Sequence, residues 1–141
     1  MISRSLLTDT ITVWNIIENE PNKAARYQRT VLAGVRYLQQ KKKAVVASGI
    51  VARDAIEIYI SLQHTEATSG RRYIDSAEFD ELADKTGYWT LADGRDFVGL
   101  GTQTATKPST GGKGKRKDWK VDGVAVKRAL DARKYIRVTA E

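Results

Sequence analysis

Ile56-Glu57-Ile58-Tyr59-Ile60-Ser61-Leu62 puts four aliphatic side chains on one side of an extended chain and Glu, Tyr and Ser on the other. That alternation has period two, the mark of a strand with one face in a core. Asp9 to Ile17 repeats the pattern, with Ile11 and Val13 opposed to Thr10 and Thr12. Glu18-Asn-Glu-Pro-Asn-Lys then breaks the run at Pro21, and Tyr27-Gln-Arg-Thr-Val-Leu resumes it, so the two segments read as an antiparallel pair. Gly34, between Leu32 and Val35, sits where a small barrel needs a bulge or bend.

The basic run Lys41-Lys42-Lys43 and Ala44-Val-Val-Ala-Ser-Gly lead into the quoted strand, and a polar, glycine-containing loop ending in Arg71-Arg72 follows it. Asp75-Ser76 opens the one convincing helix. Asp75 is placed to cap it, Glu78 completes a capping box, Phe79, Leu82 and Ala83 form its apolar stripe, and Gly87 ends it after about three turns. Such a helix suits a plug or lid across one end of a barrel. Ala92-Asp93-Gly94-Arg95 lies between Tyr88-Trp-Thr-Leu and Asp96-Phe-Val, the signature of a hairpin. Trp119-Lys-Val and Tyr135-Ile-Arg-Val-Thr read as closing strands; between them, periodicity leaves residues 123–134 open, with Val124, Val126, Ala129 and Leu130 also compatible with a short helix. Many short strands, one helix and glycine-marked turns give a mainly β fold. The expectation is one domain, residues 1–141, built as a small closed or nearly closed β-barrel with a flexible basic loop at 106–118.

The chain contains no cysteine, which excludes disulfides, thiolate metal sites and cysteine nucleophiles and suits a reducing cytosol. No apolar stretch approaches the roughly 20 residues that span a bilayer, and the amino terminus lacks the apolar core of a signal peptide, so no membrane association is expected. Net charge +7 directs attention to anionic partners.

The chemical inventory is thin. His64, the only histidine, has no evident partner for a triad. Asp80, Glu81 and Asp84 read as a solvated helix face, with Glu81 and Lys85 an i,i+4 ion pair, rather than as a metal or hydrolytic site. Gly99-Leu-Gly101 and Gly111-Gly-Lys-Gly-Lys-Arg lack the strand-to-helix context and the residues of a nucleotide cradle. Neither a catalytic residue nor a metal or cofactor site is assigned, and the chain is read as a binding protein, not an enzyme. Trp14 and Trp89 fall in strands and are assigned to the core; Trp119, beside the basic loop, is the aromatic left open as a stacking surface. The loop itself, Thr106 to Asp118, has no apolar side chain to anchor it. Its Lys107, Lys113, Lys115, Arg116 and Lys117, with Lys120 beyond, are the candidate contacts to DNA phosphates or to an acidic protein groove.

Leu6-Leu-Thr-Asp-Thr-Ile-Thr-Val-Trp-Asn15, Tyr27-Gln-Arg-Thr-Val-Leu-Ala-Gly-Val35 and Ala83-Asp-Lys-Thr-Gly-Tyr-Trp-Thr-Leu91 resemble minor structural proteins of siphophage and prophage head-to-tail gene blocks, most closely the head-closure, or stopper, proteins of the neck. The likeness covers the first 100 residues best. It implies a β-barrel subunit of the virion neck, assembled in the host cytoplasm into a homo-oligomeric ring, guessed as a dodecamer or hexamer. That ring would lie against the portal or adaptor ring, hold back packaged double-stranded DNA in its channel, and present a docking surface to the tail terminator or tail tube. The resemblance carries no catalytic residues. The alternatives are a tail terminator or other minor capsid protein, and a free nucleic-acid-binding β-barrel.

Overall fold

A computed structural model describes residues 7–18, 20–46, 49–109, 111, 116–128 and 134–140. Six of its strands form the barrel: β1 (Asp9–Glu18), β2 (Arg26–Val46), β3 (Gly49–Ser61), β7 (Phe97–Leu100), β8 (Trp119–Arg128) and β9 (Lys134–Ala140). Between β3 and β7 lie the short β4 (Glu66–Ala67), β5 (Arg72–Tyr73), helix α1 (Ser76–Glu81) and β6 (Tyr88–Trp89). The ladder runs β1-β7-β8-β9-β3-β2 and returns to β1, every barrel pairing antiparallel, so each strand has two neighbours. The narrowest seam joins β7 to β8 through only Phe97↔Lys120 and Val98↔Trp119.

Alternation does what the sequence reading requires of it. Ile56, Ile58 and Ile60 are fully buried and meet Ile11, Val13, Leu32, Val35, Val98, Val121, Ile136 and Val138, so every barrel strand contributes to one core. Gly34 is the bend. Asp9 pairs with Val35 and Thr10 with Ala33, which leaves Gly34 as the extra residue of a bulge with φ +82, a conformation that glycine adopts without a Cβ penalty. At this point β2 changes partner along one edge, from β4 (Leu32↔Ala67) to β3 (Val35↔Ile60), and the intervening turn is held by Thr65 Oγ1 donating to the Gly34 carbonyl. Beyond the bend β2 and β3 continue together. Among the described residues, Gln40–Val46 and Gly49–Ala55 pair only with each other, a two-stranded ribbon about 20 Å long at the usual strand rise.

Three expectations change. Helix α1 is six residues long, not three turns; Leu82 is already extended, and Ala83 and Gly87 lie outside it. Three hydrogen bonds from two side chains stop it: Asp84 accepts from the Thr86 N–H and hydroxyl, building a local turn, and Lys85 Nζ donates to the Leu82 carbonyl. Asp75 occupies the N-cap position, but its side chain makes no capping bond. Lys85 sits over the Phe79 ring, and no ion pair with Glu81 forms. The barrel core is completed by Trp89 and Leu91 from the segment after the helix, while Phe79 is buried apart from that cluster, so the helix is not the plug.

The second change concerns Ala92–Arg95, which is a turn but not the loop of a hairpin. Strand β6 pairs in parallel with β5, whereas β7 pairs with β1 and β8. A buried polar knot explains the exchange. Asp96 accepts from the Ile16 and Ala92 N–H groups at 2.9 and 2.8 Å and from Asn15 Nδ2 at 3.0 Å, while Asn15 Oδ1 accepts from Thr90 N. Asn15 and Asp96 are both fully buried, and the Ile16, Ala92 and Thr90 N–H groups depend on them, while Asn15 Nδ2 also donates to the Thr90 carbonyl. The third change resolves 123–134. Val124 and Val126 belong to β8, paired with Val138 and Ile136, whereas Ala129 and Leu130 lie outside the described residues.

Candidate interaction cleft

Register places the outer face of the seam. Trp14 lies opposite Arg29 on β2 and Phe97 on β7, and Phe97 lies opposite Lys120 on β8, so these four side chains share the face turned away from the core. Tyr27, opposite Ile16, joins the same face. The chain leaving β7 folds back over it: Thr12 Oγ1 donates to the Gly101 carbonyl, Trp14 Nε1 to the Ala105 carbonyl, and Arg29 to the Gln103 carbonyl. Trp14 is therefore completely buried, but outside the barrel core, under a strap. Both faces of β1 are covered, where alternation alone predicted a half-buried strand.

Gly99 has its reason here. A Cβ at that position would stand 2.6 Å from Asp118 Oδ1 and 2.8 Å from the Trp14 ring, so only glycine lets the tryptophan and the carboxylate meet. Asp118, 2% exposed, is the anchor of the basic loop. It accepts from Ser109 N at 2.7 Å and takes a two-pronged contact from Arg116 at 2.9 and 2.7 Å, while its own N–H donates to the Ser109 carbonyl at 2.8 Å. The Arg116 guanidinium lies 5.4 Å from the Trp14 ring centre, and the bond to Asp118 pushes its pKa further up. The loop's two ends are thus tied by charge and hydrogen bonds, although it carries no apolar anchor.

Between strap, loop and strands opens a cleft of about 590 Å³. Ala24, Ala25, Tyr27, Phe97, Ala105 and Pro108 give it apolar walls, and Lys107 and Arg116 stand at its rim. Tyr27 meets the edge of Phe97 with ring centres 6.3 Å apart, and Lys120 Nζ lies 5.8 Å from the Phe97 ring centre. Burial, helped by the nearby Asp96 charge, raises the Tyr27 pKa and keeps its hydroxyl protonated.

Of the six basic residues singled out in the sequence, Lys107 and Arg116 line this cleft, and Lys120 lies over the ring of Phe97, one of its walls. Lys117 is exposed beside it with its stem against Gly111, and Lys113 and Lys115 lie outside the described residues. The six are not equivalent. Arg116 is a latch on Asp118, while Lys107, Lys117 and Lys120 have no acidic partner among the described residues. Trp119 faces the core side, packed against the barrel cluster, and offers no stacking surface. The remaining candidates disperse: Asp80 pairs with Arg95 at 2.8 Å, Asp84 turns onto Thr86, and His64 lines a separate cavity of about 190 Å³ with Leu7, Ala33, Gly34 and Glu66.

Sequence reading missed Asp118, Tyr27 and Phe97 as parts of this site. The available signal was Asp118 itself, the one acid closing the run Lys113 to Lys117. Residues 6–141 match a family of unknown function, DUF6751. No curated protein and no solved structure matches the chain.

Proposed function

The chain belongs to DUF6751, and for it we propose a structural role in the phage neck, as a ring-forming head-closure subunit that helps retain packaged DNA and offers the tail a docking surface. The observation that carries this reading is the ribbon formed by Gln40–Val46 and Gly49–Ala55. An isolated two-stranded ribbon is marginal in water and leaves two open edges, so a subunit that projects one is suited to lay it on a neighbour. The small barrel supplies a body, and the basic loop supplies a second charged contact element. A connector subunit needs those three parts and no catalytic step. The sequence likeness to head-closure proteins and the +7 charge, favourable near DNA, support the same reading.

Electron cryo-microscopy of the virions that carry this protein tests the proposal. Density for the barrel in a ring between portal and tail is the expected result, and virions with a complete neck that lacks it would overturn the idea. A second arm replaces Lys113, Lys115, Arg116 and Lys117 with Ser. If the loop faces DNA or an adjacent ring, heads lose DNA or fail to join tails, whereas an undiminished virion yield removes the loop from the mechanism.

A further inference from the structure

Around the cleft, Lys107, Lys117 and Lys120 are exposed and have no acidic partner among the described residues. The walls are apolar and partly aromatic and the charges around them are basic, so a fitting occupant brings carboxylates beside small apolar side chains. A base stack does not fit: one face of Phe97 is taken by Lys120, its neighbour Tyr27 meets it edge-on, and Trp14 lies sealed under the strap. A duplex is too wide to enter a space of about 590 Å³ and would touch only the rim.

The same chain carries a segment of the required chemistry. Residues 75–84 contain Asp75, Glu78, Asp80, Glu81 and Asp84 and no Lys or Arg. Glu78 and Glu81 are exposed on α1 without ion-pair partners among the described residues, beside the small, exposed Ala77 and Ala83. Asp80 and Asp84 are already engaged, by Arg95 and Thr86.

The geometry points to a head-to-tail contact in which the α1 segment of one copy, through Glu78 and Glu81, seats in the cleft of the next copy against Lys107 and Lys120. A patch that recognises a different patch on an identical chain generates a ring when the rotation closes. This inference rests on the ring reading and names the surfaces by which its subunits meet.

Charge reversal on the full chain, followed by sedimentation velocity and native mass spectrometry, tests it. The variants are K107E/K120E and E78K/E81K, and all four positions are exposed, so circular dichroism and thermal unfolding should match the wild type. Each variant alone is expected to self-associate about tenfold or more weakly, since like charges then face each other. An equimolar mixture is expected to regain oligomers, because each reversed patch meets its complement on the other variant. Loss in both variants without recovery on mixing would overturn the pairing of these two patches. Oligomers that persist in both would place the contact elsewhere and leave the ring standing. Should K107E/K120E lose binding to a 20-nucleotide single-stranded or duplex DNA while associating normally, the cleft serves nucleic acid instead. A wild type that stays monomeric at every concentration tested would remove both the contact and the ring.

Discussion

Asp96 and Asp118 show how single carboxylates organise this protein. Both are buried; Asp96 satisfies two buried backbone N–H groups and Asp118 one, that of Ser109. Replacing Asp96 with Ala orphans the Ile16 and Ala92 donors and leaves Asn15 Nδ2 only its bond to the Thr90 carbonyl, and should cost on the order of 3 kcal/mol or more in urea unfolding. Asp118→Ala should cost less, about 1–3 kcal/mol, since it strands one backbone donor while Arg116 can turn to solvent; the cleft should change shape with it. Burial sets the pH response of Asp96. It raises the pKa, and the three hydrogen bonds and Arg95 only partly oppose it. A carboxyl whose folded pKa is raised contributes stability below its unfolded value, about 4, and loses that contribution as pH rises through the folded value. Wild type should therefore lose stability relative to Asp96→Asn as pH is raised from about 4 through that window, read as the difference between two denaturation series. Gly99→Ala belongs at the same scale. With Asp118 and Trp14 inside 3 Å of the new Cβ, one of them must move, and the melting temperature should fall well below that of Gly34→Ala, whose Cβ meets its nearest neighbour at 3.4 Å. Gly34→Ala carries instead the backbone cost of a positive φ, about 1–2 kcal/mol.

Among elements, the ribbon and the short helix depart furthest from a self-sufficient barrel. The ribbon lies beyond the pairing of β3 with β9, which ends at Ile56↔Ala140, and beyond that of β2 with β1, which ends at Val35↔Asp9. Its removal should therefore leave the barrel intact. Excising residues 41–54 and joining Gln40 to Ala55 through an Asn-Gly turn is expected to leave far-ultraviolet dichroism characteristic of β structure and to lower the melting temperature by only a few degrees, about 1 kcal/mol on a domain of this size. A cooperative collapse of the barrel in that variant would show that the ribbon belongs to the fold rather than to its contacts. Helix α1 teaches a different lesson. Its start at Asp75-Ser76 was legible, but Asp75 makes no capping bond, Leu82 and Ala83 of the expected stripe lie beyond its end, and local bonds from Asp84 and Lys85 accompany its stop after six residues. Propensity predicts that a helix exists more reliably than where it stops, because a single side-chain bond decides the last turn.

For the whole molecule, the distribution of charge matters more than its sum. A net +7 conceals an acidic segment at 75–84 and a basic one at 107–120, each with groups left unpaired among the described residues. If copies meet through those patches, self-association should weaken steeply between about 50 mM and 1 M salt, as the screening length shrinks toward 3 Å. Light scattering across that series is the check, and a salt-independent mass would point to an apolar interface.

The sequence alone determined the mainly β class, the inward faces of β1 and β3, and the bulge in β2. Period-two alternation marks Ile56, Ile58, Ile60, Ile11 and Val13 as inward-facing, the cost of a buried polar side chain forces that choice, and Gly34 announces the bulge because few other residues take its φ. Only tertiary structure decided what lies on the outside. Nothing local in Asp93-Gly94 says that its flanking runs pair with other strands, and nothing in Gly99-Leu-Gly101 says that one glycine exists to admit Trp14 and Asp118. The cleft is assembled from segments near residues 25, 97, 107 and 116, brought together by cross-strand register and a strap over β1. Alternation records which face a residue turns to the core. It cannot record which distant loop returns to cover the other face.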